Sequence, residues 1–267
     1  MTISDLQVER YARHIVLPEV GGVGQAKIMN AKVLVIGAGG LGSPVILYLA
    51  AAGIGTIGII DDDEVDLSNL QRQIIHTTAQ IGTSKAESAY RTAKDINPNV
   101  TIRLHKERFT ARNAIELAEY YDVVADGSDN FDTRFLVNDA CYLSKTTLVS
   151  AAIMRFDGQV STYKAYMDAG QGKHPCYRCL FPEPPPSDTV SSCAQSGVLG
   201  ALCGVVGSLQ AIEILREIVE FGKTLSGALL ILDGLTNEFR KIRLKPDPNC
   251  ALCSTHSNIK DLSLHTK

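Results

Sequence analysis

The passage that most constrains this chain is KVLVIGAGGLGSPVILYLAAAG at 32–53, where a short β-branched run meets a glycine-rich turn and then an apolar helical stretch. Gly37, Gly39 and Gly42 fill a G-x-G-x-x-G spacing between the strand and the helix. Backbone N–H groups and the positive end of the helix dipole suit a phosphate at such a turn, and a Cβ would block its close approach. Gly53 reads as the C-cap that ends the helix.

The rhythm repeats. Segments 56–60, 100–104, 122–126 and 146–150 read as strands, and 84–96, 110–120 (with Thr110 as N-cap) and 130–143 read as helices. Alternation of this kind predicts a doubly wound, Rossmann-like and mostly parallel sheet of the α/β class. After residue 150 the rhythm changes: 158–166, 228–234 and 237–245 read as strands, and the last two, with no helix between them, predict antiparallel pairing. Segment 197–222 predicts a long apolar helix packed inside, and the prolines of LFPEPPPSDTVSS at 180–192 predict an exposed connection.

An acidic residue about 20 positions past such a turn accepts hydrogen bonds from ribose hydroxyls, and Asp61 ends the second strand in that place. The fingerprint specifies a nucleotide and leaves ATP and NAD both open. The next segment, DLSNLQRQ through GTSKAES, puts Asn69, Arg72, Gln73 and Lys85 where a doubly wound sheet presents its ligand crevice. Two cations beside a phosphate turn suit a triphosphate better than a dinucleotide. In an adenylyl transfer, charge builds on the α-phosphate as pyrophosphate leaves, and fixed cations with a metal ion stabilise it. Asp129 in DGSDNFDTR can hold Mg²⁺. Read singly, Arg72 and Lys85 are solvated charges and Asp129 is a helix N-cap; read jointly at successive strand ends, they point to nucleotide chemistry.

Of seven cysteines, Cys176/Cys179 and Cys250/Cys253 form two Cys-x-x-Cys knuckles. Four thiolates suit a closed tetrahedral Zn²⁺ site with no position left for substrate, which predicts a structural zinc stapling a C-terminal lobe. Cys141 and Cys203 fall in apolar helices and read as core. A net charge of −3 supplies no global basic field, which argues against nucleic acid or an anionic membrane as partner. The polar N-terminus and the lack of a run of roughly 18 apolar residues predict a cytoplasmic protein that does not span a membrane.

Taken in order, GAGGLG, DDDEVDLSNLQRQ, GTSKAES, DGSDNFDTR, PCYRC and NCALC resemble the ubiquitin-activating-like family, which includes the molybdopterin-synthase and thiamine-pathway adenylyltransferases. The resemblance covers about residues 5–255 and implies a homodimer that binds MgATP in each subunit. Such an enzyme adenylates the C-terminal Gly-Gly of a small ubiquitin-fold sulfur carrier and releases pyrophosphate. It implies that Gly40 and its neighbours, with Asn130, line the nucleotide, that Asp61 holds the ribose, and that Asn69, Arg72, Gln73 and Lys85 address the phosphates. Asp129 would hold Mg²⁺, and Arg13 would reach into the partner subunit's site. The resemblance also makes Cys193 a candidate for a covalent link with the activated carrier.

The expected organisation is one adenylation domain over 1–255. It comprises an N-terminal helical segment at 1–30, a nucleotide-binding half at 31–150 and a carrier-binding, zinc-holding half at 151–255, with 256–267 a flexible tail. No sulfurtransferase domain fits after residue 255, so a separate sulfur donor protein is expected. The FPEPPP loop and SCAQSGVLG favour the molybdopterin pathway over the thiamine pathway. A NAD-dependent oxidoreductase and a non-catalytic scaffold are the competing readings.

Overall fold

A computed structural model of the chain describes residues 3–167, 174–185 and 197–266. Two helices open it, α1 (Asp5–Ile15) and α2 (Gly21–Asn30). Ser4 starts α1 with a capping box: its Oγ accepts from Gln7 N, and Gln7 Oε1 accepts from Ser4 N.

The alternating half then runs β1 (Lys32–Ile36), α3 (Gly42–Ala52), β2 (Thr56–Ile60), α4 (Lys85–Ile96), β3 (Thr101–His105), α5 (Ala114–Tyr120), β4 (Val123–Asp126), α6 (Phe131–Leu143) and β5 (Thr147–Met154). After it come β6 (Asp157–Tyr163), the short α7 (Tyr177–Leu180), α8 (Gly200–Val219), β7 (Ala228–Asp233) and β8 (Glu238–Arg243). Among the described residues the strands form one sheet in the order β3-β2-β1-β4-β5-β6-β7-β8. The pairs up to β4–β5 are parallel and the three from β5–β6 onward are antiparallel, as the change of rhythm after residue 150 predicts.

The inner parallel strands β1, β2 and β4 are mostly apolar because helices cover both of their faces, whereas the edge strand β3 carries the exposed Thr101 and Arg103. Val33 and Val35 of β1 join a cluster with Val45, Leu49, Ala89 and Ile214 from α3, α4 and α8. The alternate residues Leu34 and Ile36 join Ala118, Phe135 and Leu136 from α5 and α6 on the other side. Gly53, at φ +83°, ends α3 in the left-handed conformation its place in the sequence requires.

Three expectations are corrected. Thr110 is not the cap of α5: it heads a preceding turn, its carbonyl accepting from Asn113 N and Ala114 N, and the helix starts at Ala114 with Asn113 at the cap position. β5 continues past residue 150 to Met154 because a hairpin partner, β6, pairs with it along that whole length. Residues 256–266 do not hang free, since Ile259 and Leu262 are buried and His265 Nε2 lies 2.9 Å from Asp139 Oδ2. Among the described residues no helix is long and apolar enough to cross a membrane.

Candidate nucleotide site and cysteine cluster

From β1 the chain winds out to β2 and β3, then returns to place β4 on the other side of β1. Loops leaving β1 and β4 in opposite directions open a crevice at their C-terminal ends. It encloses about 1100 Å³, open mouth included, and is lined by Gly37, Gly39, Gly40, Asp61, Arg72, Gln73, Lys85, Asp129 and Asn130 among others.

The glycine turn is built tightly. Gly37 stands at φ +87° and donates to Ile60 O at 2.9 Å. A Cβ on Gly42 would fall 1.8 Å from Gly37 O, so this glycine lets α3 start directly against the end of β1 and does not itself line the crevice. Gly40 faces Cys203 and Arg72, where a Cβ would come within 3.0 Å of Cys203 Sγ. The N–H groups of Gly39 and Gly40 have no hydrogen-bond partner among the described residues, and both residues line the crevice. Cys203 is 1 % exposed and lines the crevice floor.

Asp61 closes β2 and braces the turn, its Oδ2 accepting from Ala38 N at 2.8 Å and its Oδ1 from Asp63 N at 2.9 Å. Burial pushes its pKa up from the usual carboxylate value, opposed by those two N–H donors and by Lys85. Lys85, the first residue of α4, is buried and reaches Asp63 Oδ2 at 2.7 Å. Asp66 caps a single turn at Leu67–Asn69, and Asn69 Oδ1 accepts from Asp66 N. The Asn69 carbonyl accepts from Arg72 N and Gln73 N. Asn69 therefore shapes the turn that presents Arg72 and Gln73, while remaining outside the lining itself. Gln73 is buried, and its Oε1 has no partner among the described residues.

At the end of β4, buried Asp126 accepts from Ser128 N (2.9 Å) and Ser150 Oγ (3.0 Å), fixing the turn into α6. Asn130, not Asp129, caps α6 by accepting from Thr133 N at 2.8 Å. The exposed Asp129 carboxylate is thus left to the crevice, which it lines. Arg134 donates to Ser128 O at 2.6 Å and lines both this crevice and an adjoining apolar groove bounded by Phe131, Met154, Tyr177, Phe181 and Ile231.

Several lining residues escape sequence reading. Arg134 lay within the quoted DGSDNFDTR, where its place on the first turn of α6 was the available signal. Ser128 lay in the same segment, and its Oγ has no partner among the described residues. Glu107, Arg108 and Phe109 enter from the β3–α5 loop, with no motif to mark them. Arg13 is exposed on α1 and does not line this crevice. Cys193 and the end of the proline-rich connection lie outside the described residues.

Free backbone N–H donors, the four basic side chains of Arg72, Lys85, Arg108 and Arg134, and the exposed Asp129 carboxylate around one crevice fit a nucleotide phosphate with its divalent cation. Unpartnered Gln73 Oε1 is a further sign of a site made for a polar ligand.

The four knuckle thiols converge, all within 4.8 Å of one another. Cys176 lies 3.9 Å from Cys179 and 3.5 Å from Cys250, and Cys179 lies 3.4 Å from Cys253. A tetrahedron of sulfurs about 2.3 Å from zinc has edges of about 3.8 Å, whereas a disulfide needs about 2.05 Å. The set fits a closed zinc site. Leu252, Ile259 and Ala165 pack around it, and the lobe is locked to α6 by Arg178, which gives Asp139 two bonds of 2.8 and 2.7 Å.

Comparison with known proteins adds identity to geometry. Residues 11–252 match the ThiF family. The chain is 49% identical over 247 residues to a probable adenylyltransferase/sulfurtransferase MoeZ of Mycobacterium tuberculosis, covering 92% of this chain and 62% of that protein. It is 45% identical over 261 residues to the adenylyltransferase and sulfurtransferase MOCS3 of Aedes aegypti, covering 97% of this chain and 58% of that one. The chain thus spans about three fifths of those two relatives. A sulfur carrier protein adenylyltransferase of Thermus thermophilus is 45% identical over 256 residues, with 96% and 94% covered. Among solved structures, E. coli MccB with succinimide superposes at a TM-score of 0.79 with 21% identity, over 92% of this chain and 74% of that one, which shows a shared fold.

Proposed function

This chain belongs to the ThiF family, and we propose that it is an ATP-dependent adenylyltransferase acting on the C-terminal Gly-Gly carboxylate of a small ubiquitin-fold sulfur carrier. The observation that carries the reading is the crevice itself: Gly39 and Gly40, whose N–H groups have no partner among the described residues, line the same space as Arg72, Lys85 and Asp129. That space adjoins an apolar groove suited to an extended peptide, with Asp129, Asn130 and Arg134 at the junction.

The chemistry asks little of a general base, because a C-terminal carboxylate is ionised near neutral pH and is itself the nucleophile. One carboxylate oxygen bonds to the α-phosphorus as the bond to the bridging oxygen of pyrophosphate breaks, giving acyl-adenylate and pyrophosphate. Catalysis then rests on positioning and charge stabilisation. The glycine amides and Gln73 hold the phosphates, Arg72 and Lys85 offset the charge that builds there, and Asp61 accepts from the ribose. Lys85 leaves Asp63 to do this, a short exchange because Asp63 lines the same crevice. Asp129 with Asn130 would hold Mg²⁺, which supplies further charge neutralisation when bound. The zinc lobe is structural, since four cysteines leave no open position.

The molybdopterin pathway is the favoured setting, supported by the sequence of the proline-rich segment. The working unit is a homodimer in which Arg13 serves the opposite site, and Cys193 is the candidate thiol for a covalent link with the activated carrier.

ATP–pyrophosphate exchange with Mg²⁺ and a panel of Gly-Gly carriers tests this reading. Exchange dependent on one carrier names the pathway, the thiamine-type carrier included. Arg72→Ala and Asp129→Ala each abolish exchange while leaving the thermal midpoint unchanged. Exchange at wild-type rates in either variant removes that residue from the mechanism, and no exchange with any carrier in protein that binds ATP favours a scaffold.

A further inference from the structure

His76 lies outside the crevice lining, 5 % exposed, between the glycine turn and α4. Its Nε2 stands 2.9 Å from Ala38 O and its Nδ1 stands 2.7 Å from Ser88 Oγ, on the same helix as Lys85. Burial lowers its pKa, so the ring is neutral near pH 7. A carbonyl can only accept, so the ring proton sits on Nε2 and Nδ1 accepts from the Ser88 hydroxyl.

Ala38 is therefore held on both sides of its Cα, the N–H of the Gly37–Ala38 peptide by Asp61 and the C=O of the Ala38–Gly39 peptide by His76. The peptide bonds of the described residues are trans, and in a trans peptide the carbonyl and the following N–H point in opposite directions. Drawing Ala38 O toward buried His76 turns the Gly39 N–H the other way, toward the crevice. Without that anchor the Ala38–Gly39 peptide would be free to rotate, because glycine accepts both signs of φ.

We propose that His76 is a positioning residue that aims the Gly39 N–H at a nucleotide phosphate and ties the glycine turn to the helix bearing Lys85. The proposal rests on the nucleotide reading of the crevice. It makes a specific demand: loss of the clamp weakens phosphate recognition without touching the nucleoside, which Asp61 holds from another strand.

The test compares ATP with adenosine as ligands for full-length wild type, His76→Leu and His76→Gln by titration calorimetry, with thermal midpoints as a check on folding. His76→Leu fills the volume without a donor and is expected to lower ATP affinity about tenfold to a hundredfold, the scale of one charge-assisted hydrogen bond. Adenosine affinity stays unchanged. Gln restores most of the loss, because its amide can donate to Ala38 O and accept from Ser88 Oγ. Equal losses for both ligands, or none, overturn the proposal.

Should the leucine variant fail to fold, the proton–nitrogen imidazole spectrum of the wild type decides. A neutral ring protonated on Nε2 supports the clamp, and protonation on Nδ1 alone overturns it. Wild-type protein that binds neither ligand refutes the nucleotide reading and the proposal with it. Failure of the proposal alone appears as ATP binding that the leucine variant retains in full.

Discussion

Replacing Asp139 with Asn should cost more than any surface change in this chain. Asp139 lies fully buried within α6, accepting from Arg178 Nε (2.8 Å), Arg178 Nη2 (2.7 Å) and Asn138 Nδ2 (3.0 Å), with His265 Nε2 at 2.9 Å. Arg178 is 7 % exposed, so its charge has no recourse to water. The carboxamide offers one acceptor and turns an N–H toward the guanidinium, stranding the cation. Breaking a buried pair in this way costs about 3–5 kcal/mol, a large share of a total stability of about 5–15 kcal/mol. At about 2–4 °C per kcal/mol, the thermal midpoint in zinc-replete buffer falls by about 6–20 °C. Arg178→Met added to Asp139→Asn recovers part of the loss by removing the stranded charge. A fall below about 2 °C would refute the reasoning.

The acid limb follows from the same group. Burial alone would raise the Asp139 pKa, but His265 and Arg178 outweigh it and hold the carboxyl below its ordinary value. Its stabilisation is therefore full above the ordinary carboxylate range and is lost as pH falls through the lowered value. Asp139→Asn makes stability less steep in pH on that limb.

Two further perturbations separate turn from staple. Gly42→Ala drives a Cβ against Gly37 O and forces the phosphate turn or the start of α3 to move, so ATP affinity falls steeply or the protein loses about 1–3 kcal/mol; calorimetric titration and urea unfolding showing neither would contradict the close approach. Cys176→Ala removes one of four thiols, and metal analysis should find zinc depleted and the thermal midpoint lowered; full zinc occupancy would show that Cys176 is not a ligand.

Features written in local patterns were legible. Gly42 and Gly53 are set by what a strand–turn–helix unit demands of its backbone, and both stand where their spacing indicates. The change to antiparallel pairing after β5 shows in the missing helix between β7 and β8. The cysteine knuckles were readable because thiols at that spacing have few other uses, although 74 residues separate the Cys176 and Cys250 sulfurs that meet. Illegible were the contacts created only by docking. Nothing near His76 marks it as a partner of Ala38, 38 residues earlier, and nothing near His265 marks Asp139, 126 residues away. Thr110 misled because it has a good cap's chemistry, and the actual helix start was decided by the turn it heads.

Those docking contacts converge on α6. Asn130 caps its N-terminus beside Asp129, and Arg134 on its first turn holds the Ser128 carbonyl at the crevice. Two turns on, Asn138 accepts from Tyr177 N and Asp139 grips Arg178, both within the Cys176–Cys179 knuckle. One helix thus carries crevice residues at one end and the anchor of the cysteine lobe near the other. A four-cysteine metal contributes most to stability when it closes a long stretch of chain, here the one containing α8, β7 and β8. Because the anchor bonds run through a continuous helix, a zinc ion bound by the four cysteines would, by ordering the lobe, also restrain the end of α6 that presents Asp129. A closed metal site with no catalytic position would then still bear on the proposed adenylation, through the placement of one carboxylate.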